Sequence, residues 1–243
     1  MVEVNLSAYD CYTILVVGCG GTGSQLLGPL MQLCSNMKKK GKIRSIVLID
    51  GDRYEEKNLR NQKATMDDIG DNKAYVMATR YGYVFEDLDI TSYEEYLNTP
   101  KELDDITRKF SNIIVIGCVD NNKARKIMHE YFTMNNKKQN LIYIDSGNGT
   151  SERTGQIVVG YKVRDHCILN SVGDVFNYVL EEEKVVDDEL SCGVVIEESP
   201  QVLATNLYSA AHIMNVLTNI LMFNKIENNV VFFDSEKCSV FSR

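Results

Sequence analysis

The stretch Thr13-Ile14-Leu15-Val16-Val17-Gly18-Cys19-Gly20-Gly21-Thr22-Gly23-Ser24 decides the fold. Its short apolar run ends in a turn signal, the pattern of a strand buried on both faces of a parallel sheet. A helical pattern follows over Gly23–Lys39. Between strand and helix stands GxGxxG with one additional glycine. Glycine permits the tight turn and lets the backbone approach a phosphate closely. The helix behind it offers unpaired N–H groups and a partial positive charge to that anion. Gly18, Gly20, Gly21, Thr22 and Gly23 are therefore candidate nucleotide-binding positions. No GK[ST] ending follows, which excludes a Walker A loop. The turn does not say which nucleotide binds.

Outward from this stretch, further apolar runs read as strands at Ser45–Ile49, Asn112–Ile116 and Leu141–Ile144. Helical patterns at Lys73–Tyr81 and Asn122–Met134 separate them. Such alternation implies an α/β fold, a Rossmann-like, doubly wound, mostly parallel sheet with right-handed crossovers. Ligands in such sheets bind beyond the carboxyl ends of the strands. An additional C-terminal portion follows, with strands at Gly155–Lys162 and Asn229–Asp234 and a long helix opened by Pro200. Leu203, Leu207, Ala210, Met214, Leu217 and Leu221 give that helix one apolar stripe, read as core, with a subunit interface as the alternative. Val163–Leu190 has weak periodicity and acidic runs at Glu181–Glu183 and Asp187–Glu189, the expectation for a mobile, solvated loop of the lid or partner-binding kind. The expected organisation is one domain over 1–243, with a nucleotide-binding part (1–160), a mobile crossover loop (163–192) and a C-terminal helix and strand (200–243).

At 243 residues, 44% hydrophobic and 25% charged, the chain can bury a sizeable core, which excludes disorder as its main state. A net charge of −8 lacks the footprint of a non-specific nucleic-acid binder. No apolar run is long enough to span a membrane, and the start does not read as a signal peptide. The seven cysteines are odd in number and include no CxxC, which points to reduced thiols in the cytoplasm rather than to disulfides or zinc. His129, His166 and His212 show no metal spacing, and Cys19 reads as a small residue packed by its turn.

The second strand ends in Ile49-Asp50-Gly51-Asp52. An acid at this strand end bonds a ribose hydroxyl. Asp50 lies somewhat farther past Gly23 than the usual ~20 residues, and the basic segment Lys38–Lys42 accounts for the excess. Then come Asn58-Leu59-Arg60-Asn61-Gln62, Gly70-Asp71-Asn72-Lys73-Ala74, and Ile116-Gly117-Cys118-Val119-Asp120-Asn121 followed by Arg125. In this order the blocks resemble the ThiF/MoeB/ubiquitin-activating-enzyme superfamily, whose pattern is GxGGxG, D-x-D, N-L-x-R-Q, G-x-x-K-A and a late D-N. The resemblance covers roughly residues 12–160 well, and in length and ending is nearest to small plasmid-associated ThiF-like proteins. It implies ATP and magnesium as cofactors, and adenylation of the C-terminal carboxylate of a small ubiquitin-like or sulfur-carrier protein or peptide. It also implies a homodimer. Carried over, Asp50 and Asp52 bind nucleotide, with Asp50 on the ribose. Asn58, Arg60, Gln62 and Lys73 neutralise phosphates. Asp120, beside Asn121, holds magnesium, for which one carboxylate plus phosphates is enough. Each residue alone has a plainer reading: Lys73 as a solvated helix residue, Asp120-Asn121 as a helix cap, Arg60 as a surface residue.

The chain departs from the family pattern in three ways. Asn61 stands where the arginine is usual, with Arg60 one position early; no arginine precedes Arg44; paired zinc-binding cysteines are absent. Cys192 sits where thioester-forming relatives carry a nucleophile, but Asp187, Asp188, Glu189, Glu197 and Glu198 would raise its pKa, which favours a structural thiol. Two alternatives stay open: a NAD- or FAD-dependent oxidoreductase, which leaves Asn58–Gln62, Lys73 and Asp120 without a task, and a degenerate, non-catalytic nucleotide-binding relative.

Overall fold

The computed structural model describes residues 3–134, 138–148, 153–181 and 203–243. After a two-residue strand β1 (Val4–Asn5) come β2 (Tyr12–Val17), α1 (Gly21–Lys38) and β3 (Ile43–Ile49). Next are α2 (Lys73–Val84), β4 (Ile90–Tyr93), α3 (Pro100–Thr107), β5 (Asn112–Gly117), α4 (Asn122–Thr133) and β6 (Asn140–Asn148). The chain ends with β7 (Thr154–Val163), β8 (His166–Leu169), α5 (Val172–Val175), α6 (Leu203–Phe223), β9 (Lys225–Ile226), β10 (Val230–Asp234) and β11 (Ser239–Ser242).

The main sheet has the order β11-β10-β7-β6-β5-β2-β3-β4, with β8 beside β7. From β4 to β6 the neighbours are parallel, and from β6 to β11 antiparallel. β2 lies between β3 and β5, so strand order reverses there, which is where ligand crevices open in such sheets. Val17 pairs with Ile49 and Gly117, and Gly117 with Asp145, so the carboxyl ends of β3, β2 and β5 are flush and β6 runs on past them to Asn148.

Side chains alternate across the sheet. Ile14 and Val16 pack with Leu26 and Leu30 of α1, Met77 of α2, and Ile213 and Leu217 of α6. Leu15 and Val17 pack with Leu103 of α3 and Ile127 and Tyr131 of α4 on the other face. The expected doubly wound sheet is therefore present, with two elements added. β4 is a short, half-buried edge strand, and α3 starts at Pro100 after Thr99 in the N-cap position.

Two expectations need correction. Residues 163–181 are not a solvated loop. They form β8 and α5, and Leu169, Val172 and Val179 are buried. His129 of α4 bonds Ser171 Oγ through Nδ1 at 2.7 Å, and a Cβ on Gly173 would stand 2.7 Å from the His129 ring. The rest of the expected loop, 182–192, lies outside the described residues. The stripe on α6 is also rotated over its first half. Asn206, Ser209, Ala210, Ile213, Leu217, Ile220 and Leu221 are buried, whereas Leu203 and Leu207 are exposed. The reason is that these first turns face polar groups at the ends of β6 and α1. Deeper in, Leu217 packs on hydrocarbon, where a Leu→Ala change costs ~2–5 kcal/mol. No helix among the described residues is long and apolar enough to cross a membrane.

Desolvation holds His129 below its ordinary pKa of 6.5, with Asp174 and Glu130 opposing. His212 is lowered by desolvation as well. The folded state refuses protons that the unfolded chain accepts, so this stability is full above about pH 6.5 and declines as pH falls toward the folded values. Melting temperature should fall between about pH 7.5 and 5.5, with a shallower slope in His129→Gln. Equal slopes would show that His129 is not the group responsible.

Candidate functional site

β2 leads into Gly18, whose φ of +93° suits glycine. A Cβ on Gly18 would lie 2.6 Å from the Cys118 carbonyl oxygen, and one on Gly23 only 2.0 Å from the Gly18 carbonyl oxygen. The two glycines let α1 start directly against the ends of β2 and β5. Gly20 occupies the N-cap position without a side chain to cap the helix, so the first-turn N–H groups around Gly21, Thr22 and Gly23 have no capping side chain.

Asp50 holds this turn in place. Its Oδ2 accepts from the Cys19 N–H at 2.6 Å and its Oδ1 from the Asp52 N–H at 2.9 Å. Each oxygen keeps a second lone pair, enough for a ribose hydroxyl. Desolvation raises the Asp50 pKa, opposed by the two amides and by Lys73. The Cys19 thiol is buried, and desolvation, then Asp50 and Cys118, push its pKa far up, so it is a packed neutral thiol as expected.

Lys73, the first residue of α2, is buried rather than solvated. Its Nζ bonds Asp52 Oδ2 at 3.0 Å, and its N–H donates to the Asp52 carbonyl at 2.9 Å. Desolvation works against ionised Asp52, but hydrogen bonds from Tyr96 and Lys73 outweigh it and hold the carboxyl below its ordinary range. Asn72 caps α2 by accepting from the Tyr75 N–H and donates to the Asp50 carbonyl at 2.8 Å. It thereby ties the start of α2 to the end of β3.

The 3-10 turn Glu56–Arg60 places the next block. Asn58 is buried, and its Oδ1 accepts from the Glu55 N–H at 2.9 Å. Gln25 Nε2 donates to the Asn61 carbonyl and the Lys63 N–H to Ser24 Oγ, so the segment is pinned to the first turns of α1. A Cβ on Gly20 would stand 3.8 Å from Gln62 Nε2, which brings Gln62 to the glycine turn. Gln62 Oε1 is buried with no partner. Arg60 is exposed and forms no ion pair among the described residues.

Asp120 and Asn121 divide their tasks. Asn121 caps α4, accepting from the Ala124 N–H at 2.9 Å, the plainer reading of that pair. Asp120 is exposed past the end of β5, on the edge that also carries the glycine turn, and accepts a long 3.4 Å bond from Asn121. Among the described residues no group of three His, Cys, Asp or Glu could hold a metal. A lone carboxylate still suits magnesium, which takes most of its ligands from phosphate and water. The glycine turn, Asp50, Asp52, Gln62 and Lys73 are thus joined by contacts, and Asp120 shares their edge. No bond links Arg60 or Asp120 to the turn among the described residues, and Cys192 lies outside them.

Three residues escaped the sequence reading. Tyr96 donates its hydroxyl to Asp52 Oδ1. Asn206 Oδ1 accepts from Thr22 Oγ1 at 3.2 Å and from Asn148 Nδ2 at 3.0 Å. Ser209 Oγ donates to Asn148 Oδ1 at 2.9 Å and pairs with Ser146 Oγ at 2.6 Å. The Thr22 hydroxyl is engaged in this network, which leaves its N–H for a nucleotide. Only the polar positions 206 and 209 in an apolar helix could have signalled it. A concavity of about 720 Å³ between β3, β4 and α3, lined by Val47, Tyr93, Arg108 and Phe110, lies away from the turn.

A model of one protein family, described as the ThiF family, matches residues 6–243. No curated protein matches the sequence. Among solved structures the chain resembles E. coli MccB at a TM-score of 0.64 and 16% identity, over 95% of this chain and 63% of that one. It resembles MccB crystallised with ATP at 0.61 and 16%, over 95% and 62%. It resembles PaaA at 0.62 and 16%, over 97% and 64%. MccB has also been crystallised with AMPCPP and MccA. The chain spans less than two thirds of the length of these proteins, and identities this low show a shared fold.

Asp50→Ala would leave the Cys19 and Asp52 N–H groups without their acceptor. The expected loss is roughly 2–4 kcal/mol, two charge-assisted bonds less the cost of burying a carboxylate. Urea unfolding measures it, and a loss below about 1 kcal/mol would mean the turn holds without Asp50.

Proposed function

The chain belongs to the ThiF family, and from that premise we propose that it is an ATP-dependent adenylyltransferase. Its substrate in this reading is the C-terminal carboxylate of a small ubiquitin-like or sulfur-carrier protein or a peptide. The observation that carries the reading is Lys73, a buried cation held at the carboxyl end of β3 beside the glycine turn. A triphosphate carries more negative charge than the pyrophosphate of a redox dinucleotide and gains more from such a cation.

In the reaction, a carboxylate oxygen of the partner attacks the α-phosphorus of ATP. The bond to the β-phosphate oxygen breaks and pyrophosphate leaves with the electron pair. No proton moves in this step, so the task is positioning and charge stabilisation rather than acid–base chemistry. The N–H groups at the start of α1 face the phosphates. Asp50 offers its remaining lone pairs to the ribose. Lys73 supplies positive charge, with Asn58, Gln62 and Arg60 at the phosphate end. Gln62 supports this through its Nε2, the amide donor that stands beside the glycine turn. Magnesium, when bound, would shield phosphate charge, and Asp120 would hold it.

A homodimer in the cytoplasm is part of the same reading. The exposed Leu203, Leu207, Met222 and Phe223 of α6 support a subunit interface, and the odd set of seven cysteines supports a reducing compartment. One observation favours a second reading. Arg60 is exposed and forms no ion pair among the described residues, with the Asn61 carbonyl rather than an arginine facing α1. A nucleotide-binding relative without turnover would look the same.

Calorimetric titration should show binding of ATP–magnesium and none of NAD; the reverse preference would overturn the reading. With the partner protein present, pyrophosphate should exchange into ATP, which would exclude the non-catalytic alternative. Asp120→Ala should lower exchange by at least about a hundredfold at an unchanged melting temperature. Exchange at the wild-type rate would remove Asp120 from the metal site.

A further inference from the structure

Gly51 stands between Asp50 and Asp52 just past β3, and among the described glycines positive φ values occur at Gly18, Gly41 and Gly70, not at Gly51. Glycine is therefore not needed at position 51 for its conformational range. It is needed for room. A Cβ there would lie 2.6 Å from Tyr96 Cγ and 2.7 Å from both Cδ2 and the Tyr96 backbone nitrogen. Because one of those atoms is main chain, rotating the ring would not relieve the clash. Tyr96 thus rests directly on the peptide that joins the two acids.

The Tyr96 side chain is largely open to solvent, yet its hydroxyl is committed to Asp52 Oδ1. The other oxygen, Oδ2, takes Lys73 Nζ at 3.0 Å. A carboxylate that is 49% exposed is therefore held at both ends, and the ammonium it holds is only 7% exposed. The phenol, raised to about 12 first by that hydrogen bond and then by desolvation, stays a donor throughout the neutral range. Lys57 also lowers the Asp52 pKa, from farther away.

We infer that Tyr96 is a positioning residue of the nucleotide site. It locks the Asp52 carboxylate so that the Lys73 ammonium is held beside the glycine turn, ready for a triphosphate. A lysine carries about 2 kcal/mol of rotamer entropy, and a tether to a freely turning carboxylate would not fix its charge. With Oδ1 pinned by Tyr96, Asp52 presents Oδ2 in one direction, and Lys73 is preorganised. Gly51 is the space that makes this possible. What Lys73 does with a triphosphate rests on the adenylyltransferase reading; the locking of Asp52 does not.

The test uses the full chain and the variants Tyr96→Phe, Lys73→Met and their double. Tyr96→Phe keeps the ring and removes only the donor. Calorimetry with ATP–magnesium and with adenosine separates the roles, because only ATP feels Lys73. Tyr96→Phe should weaken ATP–magnesium by about two- to tenfold, the scale of one lost hydrogen bond, and leave adenosine unchanged. The double variant should be no worse than Lys73→Met alone, since Tyr96 acts through that lysine. Equal weakening of both ligands, or additive losses in the double variant, would overturn the inference. A carbon-13 titration of Asp52 without nucleotide stands apart from the functional reading: its pKa should rise in Tyr96→Phe, and no change would also overturn the inference. Should the wild type bind neither ATP nor adenosine, the adenylyltransferase reading falls and that titration alone decides the role of Tyr96.

Discussion

Where α1 meets the end of β2 there is no room for a side chain, and that lack of room organises the site. Gly23 lies on the Gly18 carbonyl, and Gly18 lies on the Cys118 carbonyl. Three chain segments are drawn to one point, the place where strand order reverses. The helix cannot start elsewhere without opening a gap in the core, so its unpaired amides are aimed by packing rather than by choice of cap. Asp50 then joins β3 to the same point through the Cys19 N–H.

The charges around this point follow a different logic from the surface of the molecule. The chain as a whole is acidic, yet Lys73 is buried. Ion pairs withdrawn from water give little net stability, because desolvation offsets the attraction. The same holds for the polar network of Asn148, Asn206 and Ser209, where apolar residues would pack without leaving Asn206 Nδ2 unpartnered. Polar groups kept at such cost are most simply understood as serving the edge on which they stand.

The parallel half of the sheet was legible because its strands are continuous apolar runs between turn residues, and the glycine turn because its spacing carries its own geometry. β4 was not, since Ile-Thr-Ser-Tyr is short and half-exposed and gives no period. α3 was not legible either: Thr99-Pro100 marks a helix start, but an acidic eight-residue helix has few apolar positions to confirm it. The stripe on α6 misled for a physical reason: hydrophobicity marks the buried face only where the neighbour is hydrocarbon, and its first turns face hydroxyls and amides. In the site, the order of motifs singled out Asp50, Asp52, Gln62 and Lys73, which the fold brings together at the glycine turn. It could not separate Asp120 from Asn121, because both residue types cap helices and only coordinates show that Asn121 does so. Tyr96 carried no signal, since its role depends on an empty place at Gly51.

The bond between Thr22 and Asn206 spans 184 positions of sequence. On a ribosome adding ~5–20 residues per second, those positions take on the order of ten to forty seconds to appear. Until then the face of α1 that packs against α6 has no partner, and its first turn lacks its polar neighbour. Synthesis therefore delivers the glycine turn well before the helix whose amide completes its surroundings.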